Sequence, residues 1–223
     1  MLDPGHGGKD SGAVGPTGLK EKDVVLSVCQ IAKGMLIAAG VDVFMTRTGD
    51  TFVELPERAA MANSLGVDRY LSVHCNSAQK AARGFEVFTT PGKTSADPFA
   101  TSLFLAFGNE FPDAIKRIDS SDGDPDKEAS FAVLRLSRMP AALFELEFIH
   151  DAKGESFLRE AQNLMRCARA LSAGVLTDLG IWPASATKPV DEDNLTTLRR
   201  LLAQSLALNE QIVTVVNRME GAA

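Results

Sequence analysis

Short apolar runs and longer amphipathic stretches alternate along the chain. Four runs are rich in Val, Phe and Leu and are bounded by Gly, Asp or Pro, which is typical of β-strands. They are Val41–Thr46, Arg69–Val73, Phe85–Thr89 and Ala141–Phe148. Only Met1 and Leu2 precede Asp3-Pro4, so a strand at the start of the chain would be very short.

Between these runs, apolar residues recur at intervals of three and four, which predicts helices. The predicted helices are Lys22–Ala39, Leu55–Leu65, Pro98–Glu110 and Glu155–Leu179. Gly40 and Gly66 directly follow the first two, at the position where helices commonly end in glycine. Strands that alternate with helices predict an α/β domain with a twisted, largely parallel or mixed sheet flanked by helices.

The chain divides by composition into a single α/β domain (1–181), a linker (182–194) and an amphipathic C-terminal helix (195–220). The linker contains two prolines among small polar residues. In the helix, apolar residues fall on alternating steps of three and four, as in a coiled coil. This pattern predicts a homo-oligomer formed through 195–219; the alternative is a helix that folds back on its own domain.

Composition narrows the possible functions. The 223 residues are 45% hydrophobic and 23% charged, which allows a packed core and disfavours wholesale disorder. The formal net charge of -6 disfavours non-specific nucleic-acid binding, because that binding needs clustered Lys and Arg. The three cysteines have no regular spacing, so they do not indicate a disulfide framework.

The location of the protein is predicted from its start and its hydropathy. No stretch reaches the length of about 18 consecutive apolar residues that a membrane span needs. Met1 is followed at once by polar and turn-forming residues, without the basic and apolar regions of a signal peptide. We therefore predict a protein that is cytoplasmic as synthesised; the alternative is an exported protein whose leader precedes this sequence.

The three histidines, His6, His74 and His150, each follow a predicted strand or lie in a tight turn. In open α/β sheets, functional side chains gather beyond the carboxyl ends of the strands. A lone histidine is more often structural, but His6 in a glycine-rich turn and His74 at a strand end together favour a site. Glu21, at the start of a helix, suits the helix dipole when considered alone. With two imidazoles it completes a set of ligands that suits Zn²⁺.

A zinc hydrolase also needs a group that carries protons. Glu145 and Glu147 both lie in the apolar run 141–148, where an acidic residue is costly unless it is paired or used. A spacing of two places both on one face of a strand. Spacing alone does not choose between them.

Seven blocks, in this order, resemble zinc-dependent N-acetylmuramoyl-L-alanine amidases of the amidase-3 type. Together they extend over about residues 1–180. The blocks are LDPGHGGKDSG (2–12), GLKEKD (18–23), TRTGD (46–50), ERAAMAN (57–63), SVHCNS (72–77), FAVLR (131–135) and MPAALFELEFI (139–149).

The resemblance implies zinc ligands at His6, Glu21 and His74 and a catalytic glutamate at Glu145. It implies hydrolysis of the amide between N-acetylmuramic acid and L-alanine in peptidoglycan. Glu147 stands where the family usually has Gly, which leaves open which carboxylate acts.

His150 replaces a residue that is often Ser in this family, so His150 is a possible neighbour of the site. Asn76, which follows His74 closely, could orient the adjacent loop. We interpret Arg47 and Arg58 as structural and Cys75 as a buried thiol.

The absence of a visible leader is compatible with a phage or prophage endolysin that acts on the wall after release. Two alternatives remain: a zinc peptidase or amidohydrolase acting on other peptides, and a degenerate module that binds the wall without cutting it. Intact His6, Glu21, His74 and Glu145 disfavour the degenerate module. Loops 91–97 and 119–128 are expected to set the specificity.

Overall fold

The computed structural model describes residues 1–78, 82–121 and 123–181. Within this part of the chain, one sheet has the strand order β1-β2-β5-β3-β4. The strands are β1 (Leu2–Pro4), β2 (Tyr70–Asn76), β3 (Glu86–Thr89), β4 (Lys127–Glu128) and β5 (Ala141–Phe148). The pairs β1–β2, β2–β5 and β3–β4 are parallel, whereas β3 is antiparallel to β5. The predicted α/β fold with a largely parallel, mixed sheet is confirmed.

Helices cover both faces of the sheet. The described helices are α1 (Glu21–Ala38), α2 (Leu55–Leu65), α3 (Asp97–Glu110), α4 (Ala132–Arg135), α5 (Ala152–Arg159) and α6 (Ala161–Asp178). The larger core lies between one face of the sheet and α1, α3 and α6, and the smaller core packs the other face against α2 and α4.

The alternation of side chains along a strand decides which residues can form a site. On β2, Leu71 and Val73 contribute to the larger core, whereas Tyr70 contributes to the smaller one. Continuing this alternation, His74 falls on the face of the smaller core, as does Glu145 after Leu143 on β5. Both lie where their strands reach the carboxyl end of the sheet.

One predicted strand was wrong. Residues 41–46 make only an isolated bridge between Met45 and Leu2, supported by hydrogen bonds from the Leu2 amide to the Phe44 carbonyl and from the Thr46 amide to the Leu2 carbonyl. Because β1 has only three residues, it offers this segment too few partners for a ladder.

The predicted helix Glu155–Leu179 is divided in two. Glu160 has an extended backbone (φ -76°, ψ 113°) between α5 and α6. The last two residues of the predicted loop 119–128 form a strand, since Lys127 and Glu128 pair with Phe88 and Thr89.

The predicted linker 182–194, the helix 195–220 and oligomerisation through that helix lie outside the described residues. The domain limits therefore stay predictions. Among the described helices, none combines the length and the hydropathy that crossing a membrane requires.

Candidate metal centre and active site

Three side chains from separate segments meet at the carboxyl end of the sheet. His6 follows β1, His74 lies in β2 and Glu21 is the first residue of α1. Each offers a ligand atom, and these atoms lie within 4.8 Å of one another. Glu21 Oε1 is 3.1 Å from His6 Nε2 and 2.9 Å from His74 Nδ1. The structure thus brings together the three residues that were predicted as ligands.

The turn that carries His6 has a strained backbone, which two arginine side chains stabilise through hydrogen bonds. Among the described residues, His6 is the non-glycine residue with a positive φ, at 60°. Such a conformation persists where its surroundings fix it. Arg58 Nη2 donates to the His6 carbonyl at 2.6 Å, and Arg47 Nη2 donates to the Gly5 carbonyl at 2.7 Å. The two arginines therefore have the structural role that was predicted for them.

A second layer of groups orients the candidate ligands. Asp10 Oδ2 lies 2.8 Å from His6 Nδ1, so His6 Nε2 can face the cluster. The Ala13 amide donates to Glu21 Oε2 and the Cys75 amide to Glu21 Oε1, each at 2.9 Å. Asp10 was missed as an orienting residue, although its position four residues after His6 in a glycine-rich turn was visible in the sequence.

Glycine is required where the backbone passes the cluster. A Cβ atom on Gly12 would lie 2.6 Å from Glu21 Oε2 and 2.7 Å from His6 Cδ2. A Cβ atom on Gly5 would lie 2.2 Å from His74 Cε1. Larger residues at either position would displace a candidate ligand.

The electrostatics of the cluster favour an ionised carboxylate between two imidazoles. Burial by itself would raise the pKa of Glu21, but hydrogen bonds and charges from His6 and His74 hold this pKa well below its usual range. Burial lowers the pKa of His6, and the neighbouring Glu21 and Asp10 carboxylates outweigh that and raise it. Two imidazoles and one carboxylate suit Zn²⁺ and leave a fourth position for water or substrate.

Glu145 lies beside this cluster and has one buried oxygen without a hydrogen-bond partner among the described residues. It is directly opposite His74 on one neighbouring strand and opposite Glu86 on the other. Its Oε2 atom is buried and makes no hydrogen bond to the described part of the protein. Burial raises the pKa of Glu145 well above its usual value, and the negative charges of Glu21 and Glu86 add to this.

Glu147 has a different environment although it is only two residues away. The register between β2 and β5 shifts by one residue beyond His74, so the even spacing predicted for the strand is interrupted here. Glu147 accepts hydrogen bonds from Arg83 Nη2 at 2.9 Å and from the Gly84 amide at 2.7 Å. Its charge is therefore compensated, whereas that of Glu145 is not.

The two other candidate neighbours bind residues outside the His6–Glu21–His74 cluster. His150 Nδ1 accepts a hydrogen bond from the Ala78 amide at 3.2 Å, and its ring contacts Phe148. Asn76 donates through Nδ2 to Glu86 and accepts from the Ser77 amide through Oδ1. Neither side chain is part of the three-residue ligand cluster.

Asp3 belongs to the first sequence block, but the sequence predicted no role for it. In the structure it links several elements through hydrogen bonds. This fully buried carboxylate accepts four hydrogen bonds that link β1, β2, α2 and residue 46. The donors are Thr46 Oγ1 at 2.6 Å, Arg58 Nη1 at 2.8 Å, Tyr70 Oη at 2.6 Å and Ser72 Oγ at 2.7 Å. Burial opposes ionisation, but Arg58 and the three hydroxyls hold the pKa of Asp3 below its usual value.

An α/β sheet that carries two histidines and a glutamate at its carboxyl end, next to an uncompensated carboxylate, has a donor set that could hold a metal ion, as is typical of hydrolase sites. Residues 1–177 match the Amidase_3 family model, which is described as N-acetylmuramoyl-L-alanine amidase. The chain belongs to this family.

Named relatives agree with this assignment. The amidase AmiC of Neisseria meningitidis is 32% identical, over 78% of this chain and 51% of its own length, so the chain spans about half of that protein. The endolysin of Bacillus phage SPP1 is 36% identical, over 86% of this chain and 70% of the endolysin. The solved structure of the amidase AmiC2 of Nostoc punctiforme is 31% identical, with a TM-score of 0.73 over 80% of this chain and 95% of that one.

Proposed function

We propose that this protein hydrolyses the amide bond between N-acetylmuramic acid and L-alanine in peptidoglycan, with Zn²⁺ held by His6, Glu21 and His74 and Glu145 as the catalytic residue. The observation that carries the proposal is the buried, unpartnered Oε2 of Glu145 beside the His6–Glu21–His74 cluster. Membership of the amidase family supports the choice of substrate.

Zinc, when bound, lowers the pKa of a water molecule and polarises the carbonyl group that is attacked. Glu145 accepts a proton from the attacking water, whose oxygen forms the new bond to the lactyl carbonyl carbon. Glu145 then donates that proton to the leaving nitrogen of L-alanine as the amide bond breaks. The raised pKa makes this carboxylate a stronger base than an ordinary glutamate.

Glu147 is the less suitable base. Its two oxygens are used by Arg83 and by two backbone amides. Taking a proton would weaken these interactions, and the neighbouring guanidinium disfavours protonation. Glu145 Oε2 has no such interaction with any residue that the structure describes.

The comparison with relatives also supports a proposal for where the enzyme is located before it acts. The similarity to a phage endolysin supports an enzyme that reaches the wall of the cell in which it is made. As part of the proposal, the enzyme is cytoplasmic until it is released.

The test compares purified muropeptides with simple peptides that lack the muramoyl group, using enzyme whose zinc content has been measured. The proposal predicts about one zinc per chain and cleavage of muropeptides alone. Equal cleavage of simple peptides would indicate a general zinc peptidase, and less than about half an equivalent of zinc with no cleavage would indicate a wall-binding module.

A further inference from the structure

A cluster with two cationic side chains lies on β3, two strands away from His74 of the candidate metal centre. The proposed chemistry does not use it. Glu86, the first residue of β3, is 4% exposed and lies directly opposite Glu145. Its carboxylate binds three side chains from separate segments: Asn76, Arg117 and Lys127. We call Glu86, Arg117 and Lys127 the Glu86 cluster.

The Glu86 cluster has an excess of one positive charge, since a single carboxylate faces an arginine and a lysine. Arg117 Nε is 3.1 Å from Glu86 Oε2, and Lys127 Nζ donates to the same oxygen. The chain as a whole has a formal net charge of -6, and the neighbouring groups Glu21 and Glu145 are acidic. A local positive excess next to an acidic centre is therefore a distinct electrostatic feature of this face.

Arg117 also has hydrogen-bond donors that Glu86 does not use. Arg117 uses Nε for Glu86, and its two Nη nitrogens make no hydrogen bond to the residues that the structure describes. The Arg117 guanidinium lies over the Phe148 ring, 5.0 Å from its centroid, which holds the plane of the group. The side chains of Arg117 and Lys127 are 37% and 26% exposed, so a ligand can reach both. A planar guanidinium with two free nitrogens is suited to a bidentate carboxylate.

The position of the cluster matches one part of the proposed substrate. Adjacent strands are about 4.8 Å apart, so Glu86 lies two strands, about 10 Å, from His74. An extended peptide advances about 3.3 Å per residue, so this span covers about three residues and includes the second stem residue after the cleaved bond. A free α-carboxylate on that residue would be a bidentate acceptor for the Arg117 guanidinium, whereas an amidated one would carry no charge to pair with it.

We propose that Arg117 and Lys127, positioned by Glu86, bind the free α-carboxylate of the second residue of the peptide stem and so select stems in which this group is not amidated. This inference rests on the proposed function, because it concerns the substrate of the same site. Arg117 and Lys127 are the specificity residues, and Glu86 is a positioning residue that acts through them.

The test uses two muramoyl tripeptides that differ only in whether the second residue has a free or an amidated α-carboxyl group. The full-length, zinc-loaded enzyme is assayed by kcat/KM on both, and the ratio is compared among wild type, Arg117→Gln and Lys127→Met. Arg166→Gln is the matched control. Arg166 has the same kind of environment as Arg117 but outside the Glu86 cluster: its Nε binds Glu110, its guanidinium lies over the Phe111 ring, and its side chain is 37% exposed.

The inference predicts that wild type prefers the free carboxylate by roughly tenfold or more, as a charge-assisted hydrogen bond would give. Arg117→Gln and Lys127→Met lower this ratio towards one by slowing the free-carboxylate substrate, and Arg166→Gln leaves the ratio unchanged. A wild-type ratio of one or less, or a ratio that neither variant changes, overturns the inference while leaving the proposed function intact. Failure of wild type to cleave either substrate removes the proposed function, and the inference with it.

Discussion

Two carboxylates on the same sheet have opposite environments: Asp3 on β1 is fully buried, and Glu145 on β5 is partly buried with one buried oxygen. Asp3 accepts four hydrogen bonds, one of them from Arg58, and its pKa is lowered. Glu145 has a buried oxygen with no hydrogen bond to any described residue, and its pKa is raised. The same functional group is thus a structural anchor in one place and an uncompensated, reactive group in the other.

The comparison shows that burial alone does not identify a catalytic carboxylate. A buried charge is tolerated when donors satisfy it, and Asp3 meets this condition. A buried carboxylate that lacks donors lowers stability, so its presence calls for a functional explanation. The following predictions test whether the two carboxylates differ in this way.

The largest effect is expected for Glu145→Gln. Removing the proton carrier should lower kcat on muropeptides by about 10²–10⁴-fold, which is the usual contribution of a general acid–base group. Stability should be unchanged or slightly higher, because the variant removes an uncompensated buried charge. Kinetics and denaturant unfolding of the same preparation measure both properties, and zinc analysis checks that the two proteins are equally loaded.

Glu147→Gln is the matched control for that experiment, because it makes the same change two residues away. Wild-type turnover by Glu145→Gln, with a large loss for Glu147→Gln instead, would assign the proton transfer to Glu147.

The second largest effect is expected for Asp3→Asn. An amide cannot accept four hydrogen bonds in this arrangement, and Arg58 would lose its buried partner. Breaking a buried pair by removing one partner typically costs about 3–5 kcal/mol of unfolding free energy. Urea or guanidinium unfolding curves measure the change.

Asp50→Asn is a useful reference for Asp3→Asn, since the Asp50 side chain is 55% exposed in its pair with Lys22. Because the Asp50 carboxylate is largely exposed, although Lys22 is buried, removing this pair should cost less than the roughly 3–5 kcal/mol expected for Asp3. If both variants lost the same stability, the Asp3 network would have no special structural importance.

A smaller effect is expected for the stability of Glu147→Gln. The glutamine can still accept a hydrogen bond from the Gly84 amide, but it loses the charge that pairs with Arg83. A loss of about 1–2 kcal/mol is expected, as for a charged hydrogen bond that is partly exposed, with kcat within a few-fold of wild type. A thermal or chemical unfolding midpoint equal to that of wild type would show that the Arg83 pair contributes nothing.

The smallest effect concerns pH. Because the pKa of Asp3 is lowered in the folded protein, its contribution to stability is complete above the ordinary Asp pKa of about 4 and is lost as pH falls towards the folded value. Asp3→Asn should therefore show a shallower loss of unfolding free energy below about pH 4 than wild type. Parallel slopes for the two proteins would contradict the lowered pKa.

Much of the fold could be predicted because its signals are local. The apolar run 141–148 and the glycine after residue 65 were sufficient to predict β5 and the end of α2. The segment 41–46 was predicted as a strand because it has strand composition, but the number of partners that a strand finds depends on the length of its neighbour β1. The break at Glu160 has no glycine or proline signal and depends on packing.

The candidate site was predicted only as far as residue type and position at strand ends allow. The ligand set followed from two histidines and a resemblance, but the choice between Glu145 and Glu147 required knowledge of their partners. Glu86 had the same signal as these two, an acidic residue in an apolar run, and was overlooked. Its partners Arg117 and Lys127 are 31 and 41 residues away in sequence, so no local pattern could connect them.

The most direct test of the proposed function is digestion of purified peptidoglycan sacculi by the zinc-loaded enzyme, followed by chemical identification of the new ends. Hydrolysis at the proposed bond predicts new amino-terminal L-alanine with no increase in reducing sugars, and predicts that Glu145→Gln releases neither. New reducing ends, or new amino termini other than L-alanine, would contradict the assignment of the amide bond.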